Sequence, residues 1–266
     1  MWRSELVLMF GRLRTRVMLL VLTGIPVLLV VILRLAARSR PGEGPAFFGQ
    51  VTQNGVFAAL VGLTAVVPFF LPLAVGIVAG DSVAGEANLG TLRYLLTRPV
   101  GRTRLLVTKY VASAVFCLAA AVVVAVGGLV AGAALFPIGR VTTLSGDTLS
   151  IGAGTLRMLL AALVVGSSMF GLAAVGLFIS TVTDIPVAAM AATALIALFS
   201  ELLDAVPQLS RIHGVLVTHY WLSFGDLLRS PIRFADIDKG LVLQLGYTVV
   251  FGLAAWARFT TRDVLS

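Results

Sequence analysis

Apolar residues run through this chain in long stretches that short polar segments separate. Six of the stretches reach the roughly 20 residues that a helix needs to cross a bilayer. The pattern predicts an all-α polytopic membrane protein in which residues 1–266 form a single transmembrane domain. The predicted spans are residues 17–35, 55–79, 105–136, 156–182, 185–206 and 240–257.

The segment before the first span has a different pattern. Over residues 2–16, the apolar side chains Trp2, Leu6 and Phe10 recur at helical spacing, and the arginines fall largely elsewhere. This predicts an amphipathic helix in the headgroup layer that leads into the first span. A signal peptide is the alternative, but the apolar run of residues 17–33 is long enough to span and favours a retained anchor.

Prolines and glycines modify the spans. Pro68 and Pro72 lie inside the second span and predict a kink. Gly128 and Gly132 form a GxxxG pattern in the third, which allows close approach of a helix from the same chain or from a second copy. Intrachain packing is the interpretation that we favour. Small residues also recur in the fourth span, at Gly166, Gly171 and Gly176.

Composition agrees with a lipid environment. Hydrophobic residues make up 59% of the chain and charged residues 12%. Soluble domains usually have about twice that fraction of charged residues. The net charge is +8, but the basic residues cluster at the ends of apolar runs, as topology signals do. The predicted partner is therefore the lipid bilayer and not nucleic acid. Six spans place both termini on one side, and charge counting weakly favours the cytoplasm.

Several chemistries are absent from the sequence. Neither lysine, Lys109 or Lys239, follows a glycine as a Walker A motif requires, and the common hydrolase signatures are missing. The single cysteine, Cys117, excludes an internal disulfide. His213 and His219 have no carboxylate at useful sequence spacing beside both, so they are interpreted as surface loop residues. We predict no catalytic site, no metal site and no cofactor in this chain.

Ionisable residues are also missing from the middle of every predicted span, where ion-driven transporters usually place them. Glu201 and Asp204, near the end of the fifth span, are interpreted as a solvated helix terminus and not as the mouth of a pathway. If this protein moves a substrate uphill, the energy is expected to come from another chain.

A polar, basic segment, residues 80–104, separates the second span from the third. Asp81 or Ser82 is predicted to cap a short amphipathic helix, and Pro99 to end it, because the residue before a proline is forced out of the helical conformation. Basic residues then precede the third span: Arg98, Arg102 and Arg104. By physics alone, this helix could contact only lipid headgroups.

The stretch GDSVAGEANLGTLRYLLTRPVGRTRLLVTKY resembles the first cytoplasmic loop of ABC transporter permeases of the type-two exporter class. The likeness is strongest to the bacterial branch with bacitracin and sodium exporter permeases and copper-maturation permeases. The matching positions are Glu86, Gly90, Thr91, Leu92, Leu95, Leu96, Arg98, Pro99, Arg102 and Lys109.

The resemblance implies a coupling helix in this loop that docks on a separate cytoplasmic ATP-binding subunit. ATP and Mg²⁺ would be bound there, with no cofactor in this chain. It also implies pairing with a second permease copy or a sister permease, a smaller cytoplasmic contact at residues 183–186, and an external loop, residues 207–239, with short re-entrant helices. The implied ATPase-coupling residues are Glu86, Gly90, Thr91, Arg93, Leu95, Arg98, Pro99 and Arg102.

We therefore expect a non-enzymatic permease subunit of an ATP-driven exporter, in a bacterial inner membrane with both termini cytoplasmic. Two alternatives remain. One is a non-transporting membrane partner that transmits ATPase motion to an envelope complex, and the other is an ATP-independent secondary carrier. In the external loop, Tyr220 and Trp221 are interpreted as anchors at the membrane interface.

Overall fold

A computed structural model describes residues 2–39, 51–90, 101–143 and 145–261. Helices dominate these ranges, and a two-stranded antiparallel hairpin, β1 (Val141–Thr142) with β2 (Thr148–Leu149), follows the longest of them. The helices are α1 (Trp2–Gly11), α2 (Leu13–Ser39), α3 (Phe57–Val66), α4 (Phe70–Asn88), α5 (Arg102–Leu135), α6 (Ile151–Ser168), α7 (Phe170–Val182), α8 (Pro186–Asp204), α9 (Ser210–His213) and α10 (Ala235–Thr261).

Six segments are long and apolar enough to cross a membrane, as the sequence predicts. They are α2, α4, α5, α6 together with α7, α8 and α10. The predicted all-α polytopic membrane fold is confirmed. The first helix is shorter than predicted: α1 ends at Gly11, and α2 already begins at Leu13.

The second predicted span is divided into two helices. Pro68 lies in the turn between α3 and α4, and Pro72 lies in the first turn of α4. Both prolines lack the backbone donor that a continuous helix uses, so the chain breaks where the sequence predicted a kink. Because α3 has only 10 residues, α4 is the part that is long enough to span.

Helix α4 continues through the start of the polar segment. Asp81 and Ser82 therefore lie inside a helix and do not cap a new one, and that prediction is wrong. The Ser82 hydroxyl donates to the carbonyl of Ala79 at 2.6 Å, which satisfies it within the helix. The predicted short helix itself falls on residues 91–100, outside the described residues.

The glycines that the sequence analysis names in the third and fourth spans face other helices of this chain. A Cβ added to Gly128 would lie 2.8 Å from the carbonyl oxygen of Ala58, and one added to Gly132 would lie 2.7 Å from the Cβ of Ala58. The GxxxG pattern thus allows α3 to pack closely against α5, which confirms that these glycines serve packing within the chain. Glycines of the fourth span likewise meet intrachain neighbours: Gly166 at Leu118, Gly171 at Gln244 and Gly176 at Ala79.

Helix α5 lies at the centre of the bundle and packs against α2, α3, α4 and α6. Helix α4 packs against α7 and α8, and α7 packs against α10. The outer faces of α2 and α10 expose apolar side chains such as Leu20, Leu28, Val242 and Leu253. Such faces suit contact with lipid, because apolar side chains need no protection from water inside the hydrocarbon core.

The last long loop folds onto the end of the bundle. Trp221 is 1% exposed and belongs to the core, so its interpretation as an interfacial anchor is wrong. Gln244 of α10 fixes this loop: its amide nitrogen donates to the Val217 carbonyl at 2.7 Å, and its oxygen accepts from the Gly171 amide at 3.1 Å. Two short helices, Pro207–Leu209 and Ser223–Leu228, accompany α9 in the loop.

Candidate functional site

Three charged side chains from three helices meet at the end of the bundle that carries the polar segment. Lys109 of α5 is 5% exposed, and its ammonium donates to Glu5 of α1 at 2.6 Å and also to Glu86 of α4. A buried ammonium in a membrane protein requires a counter-charge, and two carboxylates supply it here. The ion triad of Glu5, Glu86 and Lys109 joins α1, α4 and α5.

A second ionic group lies beside the triad. Asp81 of α4 accepts from the guanidinium of Arg14 at 3.2 Å and lies 3.6 Å from that of Arg12. Arg14 also donates to the Ile77 carbonyl at 3.0 Å and contacts the Met190 sulfur at 3.4 Å. The start of α2 is thereby joined to α4 and to the first turns of α8.

Both ionic groups line one open cleft of about 790 Å³. Each carboxylate named above has a cation beside it, so the charges compensate each other within the cleft. The arrangement is that of a joint between helices and does not offer a binding surface of one charge. Pro186, which begins α8 after the short turn at residues 183–185, also lines the cleft.

Gly90 ends helix α4. Its amide donates to the carbonyl of Ala87 at 3.0 Å, and its φ of +69° lies in the left-handed region that favours glycine. A Cβ at this position would meet nothing within 4 Å, so conformation and not space demands the glycine. The glycine that the resemblance singles out therefore redirects the chain from α4 into the loop.

Arg102 begins helix α5 and contacts the end of α10. Its guanidinium donates to the carbonyls of Thr260 at 2.9 Å and Phe259 at 3.4 Å. A cation at this position complements the partial negative charge of a helix C-terminus. The Trp256 indole also donates to the Thr103 hydroxyl at 2.9 Å, so α10 is attached to the start of α5 at two places.

Of the predicted coupling residues, the structure brings Glu86, Gly90 and Arg102 to the same end of the bundle, where they flank the loop. The remaining five lie outside the described residues: Thr91, Arg93, Leu95, Arg98 and Pro99.

The sequence interpretation named Lys109 only through the resemblance and missed the ionic contacts that hold the flanks of the loop. Lys109 had a detectable signal, because a lysine eight residues into a long apolar helix requires compensation. Glu5 had none, since 104 residues separate it from Lys109 and no local spacing links them. Asp81 and Arg14 are likewise 67 residues apart.

At the other end of the bundle, the two histidines lie in the last loop as predicted, but the structure brings a carboxylate to both of them, which sequence spacing did not reveal. Asp204, the last residue of α8, lies beside both: its Oδ1 is 2.6 Å from Nδ1 of His219 and 3.7 Å from Nδ1 of His213. Sequence spacing hid this contact because the loop folds back. Asp204 is therefore more than a solvated helix terminus.

Comparison with known proteins adds two relatives with the same description, "Probable ABC transporter permease protein NosY". The protein from Pseudomonas aeruginosa is 42% identical over 67 residues, which cover 25% of this chain and 24% of the relative. The protein from Stutzerimonas stutzeri is 31% identical over 107 residues, which cover 36% and 39% of the two chains. The chain thus matches well under half the length of either relative.

A family profile covers far more of the molecule. It matches residues 17–265, from the first turns of α2 to beyond the end of α10. This chain belongs to the family described as "Protein of unknown function (DUF2705)".

Proposed function

We propose that this chain is the membrane-spanning permease subunit of an ATP-driven ABC exporter and that residues 80–104 couple it to a separate cytoplasmic ATPase subunit. The observation that carries the proposal is the buried ion pair of Glu86 and Lys109, which joins the two helices on either side of the loop. The coupling motif and the names of the two relatives support the same assignment.

The contacts around the loop provide a route for force. A displacement of the loop acts on α4 and α5 together, because Glu86 and Lys109 join them. Asp81 extends the connection from α4 to α2, and Arg102 extends it from α5 to α10. Coupling requires contacts that differ in free energy between two states, and these ion pairs are the contacts that we expect to differ.

The ATPase partner would hold ATP and Mg²⁺, and a second permease copy or a sister permease would complete the translocation pathway. The proposed location is a bacterial inner membrane with the loop and both termini in the cytoplasm. The positions of α1 and of the end of α10 support this orientation, since both contact residues that flank the loop.

The proposal is tested by reconstitution of the chain in proteoliposomes with an ABC-type ATPase subunit that co-purifies with it. The double variant Glu86→Ala with Arg98→Ala is expected to abolish the stimulation of ATP hydrolysis and ATP-dependent transport. Arg98→Ala alone changes neither member of the buried ion pair and should lower both activities. The matched control is Arg140→Ala, an exposed arginine beyond the far end of α5, which should change neither.

Three results would contradict the proposal. Full coupling in the double variant would remove the role of the loop. Transport without ATP would indicate a secondary carrier. ATP hydrolysis that responds to the chain, with no export in a broad metabolite screen, would indicate a partner that only transmits motion.

A further inference from the structure

We propose that Asp204, His213 and His219 form a binding site for one divalent transition-metal ion of the Zn²⁺ class. The site lies at the end of the bundle opposite the ion triad, where the last loop folds against α8. Neither the family nor the proposed permease function requires it, so the proposal stands independently of the coupling mechanism.

The donor atoms have suitable chemistry and spacing. Two imidazoles and a carboxylate are ligands that Zn²⁺ and similar ions prefer. Tetrahedral ligands at about 2.0–2.2 Å from a metal lie about 3.3 Å from one another. Asp204 Oδ1 lies 2.6 Å from Nδ1 of His219 and 3.7 Å from Nδ1 of His213, on either side of that value. All three ligand atoms lie within 4.8 Å of one another.

The second nitrogen of one histidine is already held. Nε2 of His213 lies 3.1 Å from the carbonyl oxygen of Val206, which accepts a hydrogen bond when that nitrogen carries the proton. This tautomer leaves Nδ1, the nitrogen that faces Asp204, with a free lone pair for a metal. Metal-binding histidines commonly donate their other nitrogen to a backbone carbonyl in this way, which orients the ring.

The neighbours of His219 hold the loop in place. The hydroxyl of Thr218 lies 2.8 Å from that of Ser200 in α8. The Val217 carbonyl accepts from Gln244, and the Val215 carbonyl accepts from the Tyr247 hydroxyl at 2.8 Å. The backbone immediately before His219 is therefore anchored to α8 and to α10. Metal binding then needs to order little more of the loop, which lowers its entropic cost.

The site has access to solvent. The side chains of Asp204, His213 and His219 are 24%, 17% and 31% exposed. Three protein ligands leave at least one coordination position for water or for an incoming ligand, whereas four protein ligands surround the ion in a closed structural site. We therefore expect the ion to exchange with a chelator in solution.

The test uses the purified full-length chain in detergent, with an affinity tag that contains no histidine. His213 and His219 are the only two histidines of the chain, so every histidine signal reports on the site. Calorimetric titration with ZnCl₂ is expected to show saturable binding of one ion, which EDTA reverses. Titration with Co²⁺ should give the visible absorption of a low-symmetry nitrogen and oxygen site.

The variants His213→Ala, His219→Ala and Asp204→Asn should each weaken Zn²⁺ binding by more than about tenfold. Substitution of a residue that only contacts a metal ligand already lowers metal affinity by about tenfold or more. Asp226→Asn is the matched control, because Asp226 lies in the same loop but pairs with Arg229 at 2.6 Å. It should leave the affinity unchanged. Equal affinities in all four variants, or no saturable binding in the unaltered chain, would overturn the proposal.

A measurement on the unaltered chain guards against variants that do not fold. With ¹⁵N-labelled histidine, both imidazole rings should change their nitrogen chemical shifts together as Zn²⁺ is added up to one equivalent. A spectrum in which one or neither ring responds would show that the three residues form only a hydrogen-bonded contact, and the metal site would be wrong.

Discussion

Lys109 is the only charged residue that is buried in the described part of the chain. It is a lysine inside a long apolar helix, yet its ammonium has carboxylates from two other helices beside it. Breaking a buried ion pair by removing one member costs more than the pair itself contributes, because a charge remains without compensation. The three members of the triad should therefore respond differently to substitution.

Lys109→Met is expected to lower the free energy of unfolding by about 3–5 kcal/mol, because Glu5 and Glu86 would then face each other without a cation. Glu86→Gln should cost less, since Glu5 still compensates the ammonium. The measurement is denaturant-induced unfolding of the purified chain in detergent micelles.

The double variant Lys109→Met with Glu86→Gln serves as the control for this mechanism. It removes one charge of each sign and should recover part of the stability that Lys109→Met loses. If the two effects simply add, electrostatic compensation is not what holds these side chains together.

At the scale of elements, the length of the apolar runs was enough to predict six spans, and glycine spacing was enough to predict close packing. The extension of α4 was not predictable. Asp81 and Glu86 have the appearance of loop residues because their counter-charges, Arg14 and Lys109, come from distant parts of the chain. For the same reason the sequence does not predict the contact between Asp204 and the histidines, because that contact depends on how the last loop folds.

The close packing of α3 against α5 provides a prediction at the scale of elements. Gly128→Ala places a Cβ 2.8 Å from both the Ala58 carbonyl oxygen and the Ala59 Cα, so that backbone must move. Overpacking of this kind costs about 1–3 kcal/mol of unfolding free energy. Thermal unfolding followed by intrinsic fluorescence should show a lower midpoint for this variant.

Gly252→Ala is the control, because Gly252 lies in α10 and a Cβ there meets nothing within 4 Å. Alanine has a higher helix propensity than glycine, so the unfolding midpoint of Gly252→Ala should equal that of the unaltered chain or lie above it. The elution volume in size-exclusion chromatography should not change for Gly128→Ala, since its neighbours belong to the same chain. A dimer that dissociates in this variant would contradict the intrachain assignment.

Over the whole molecule, the two charged sites occupy opposite ends of one helix. Helix α8 begins beside the cleft at Pro186 and ends at Asp204. Its 19 residues correspond to about 28 Å, close to the thickness of a hydrocarbon core. The ion triad and the Asp204 cluster are thus separated by the depth of a membrane.

This separation, together with the proposed orientation, predicts the labelling of single cysteines in intact cells. The background is Cys117→Ala, which removes the only native thiol. Asp147→Cys lies in the hairpin after α5 and should react with a membrane-impermeant maleimide from outside. Asn88→Cys, at the exposed end of α4, should react only after the membrane is permeabilised.

The unaltered chain is the control, since Cys117 is buried and should stay unlabelled in both conditions. A reversed pattern would contradict the proposed orientation. Equal labelling of both positions from one side would contradict the assignment of α5 as a span.

The ion triad also has a consequence for the order of assembly during synthesis. Glu5 leaves the ribosome 104 residues before Lys109, a delay of about 5–20 s at common translation rates. Until then its carboxylate lacks the ammonium that neutralises it in the finished bundle. We expect α1 to wait at the membrane surface and to dock only after α5 has inserted, so that the first helix made is among the last to reach its final place.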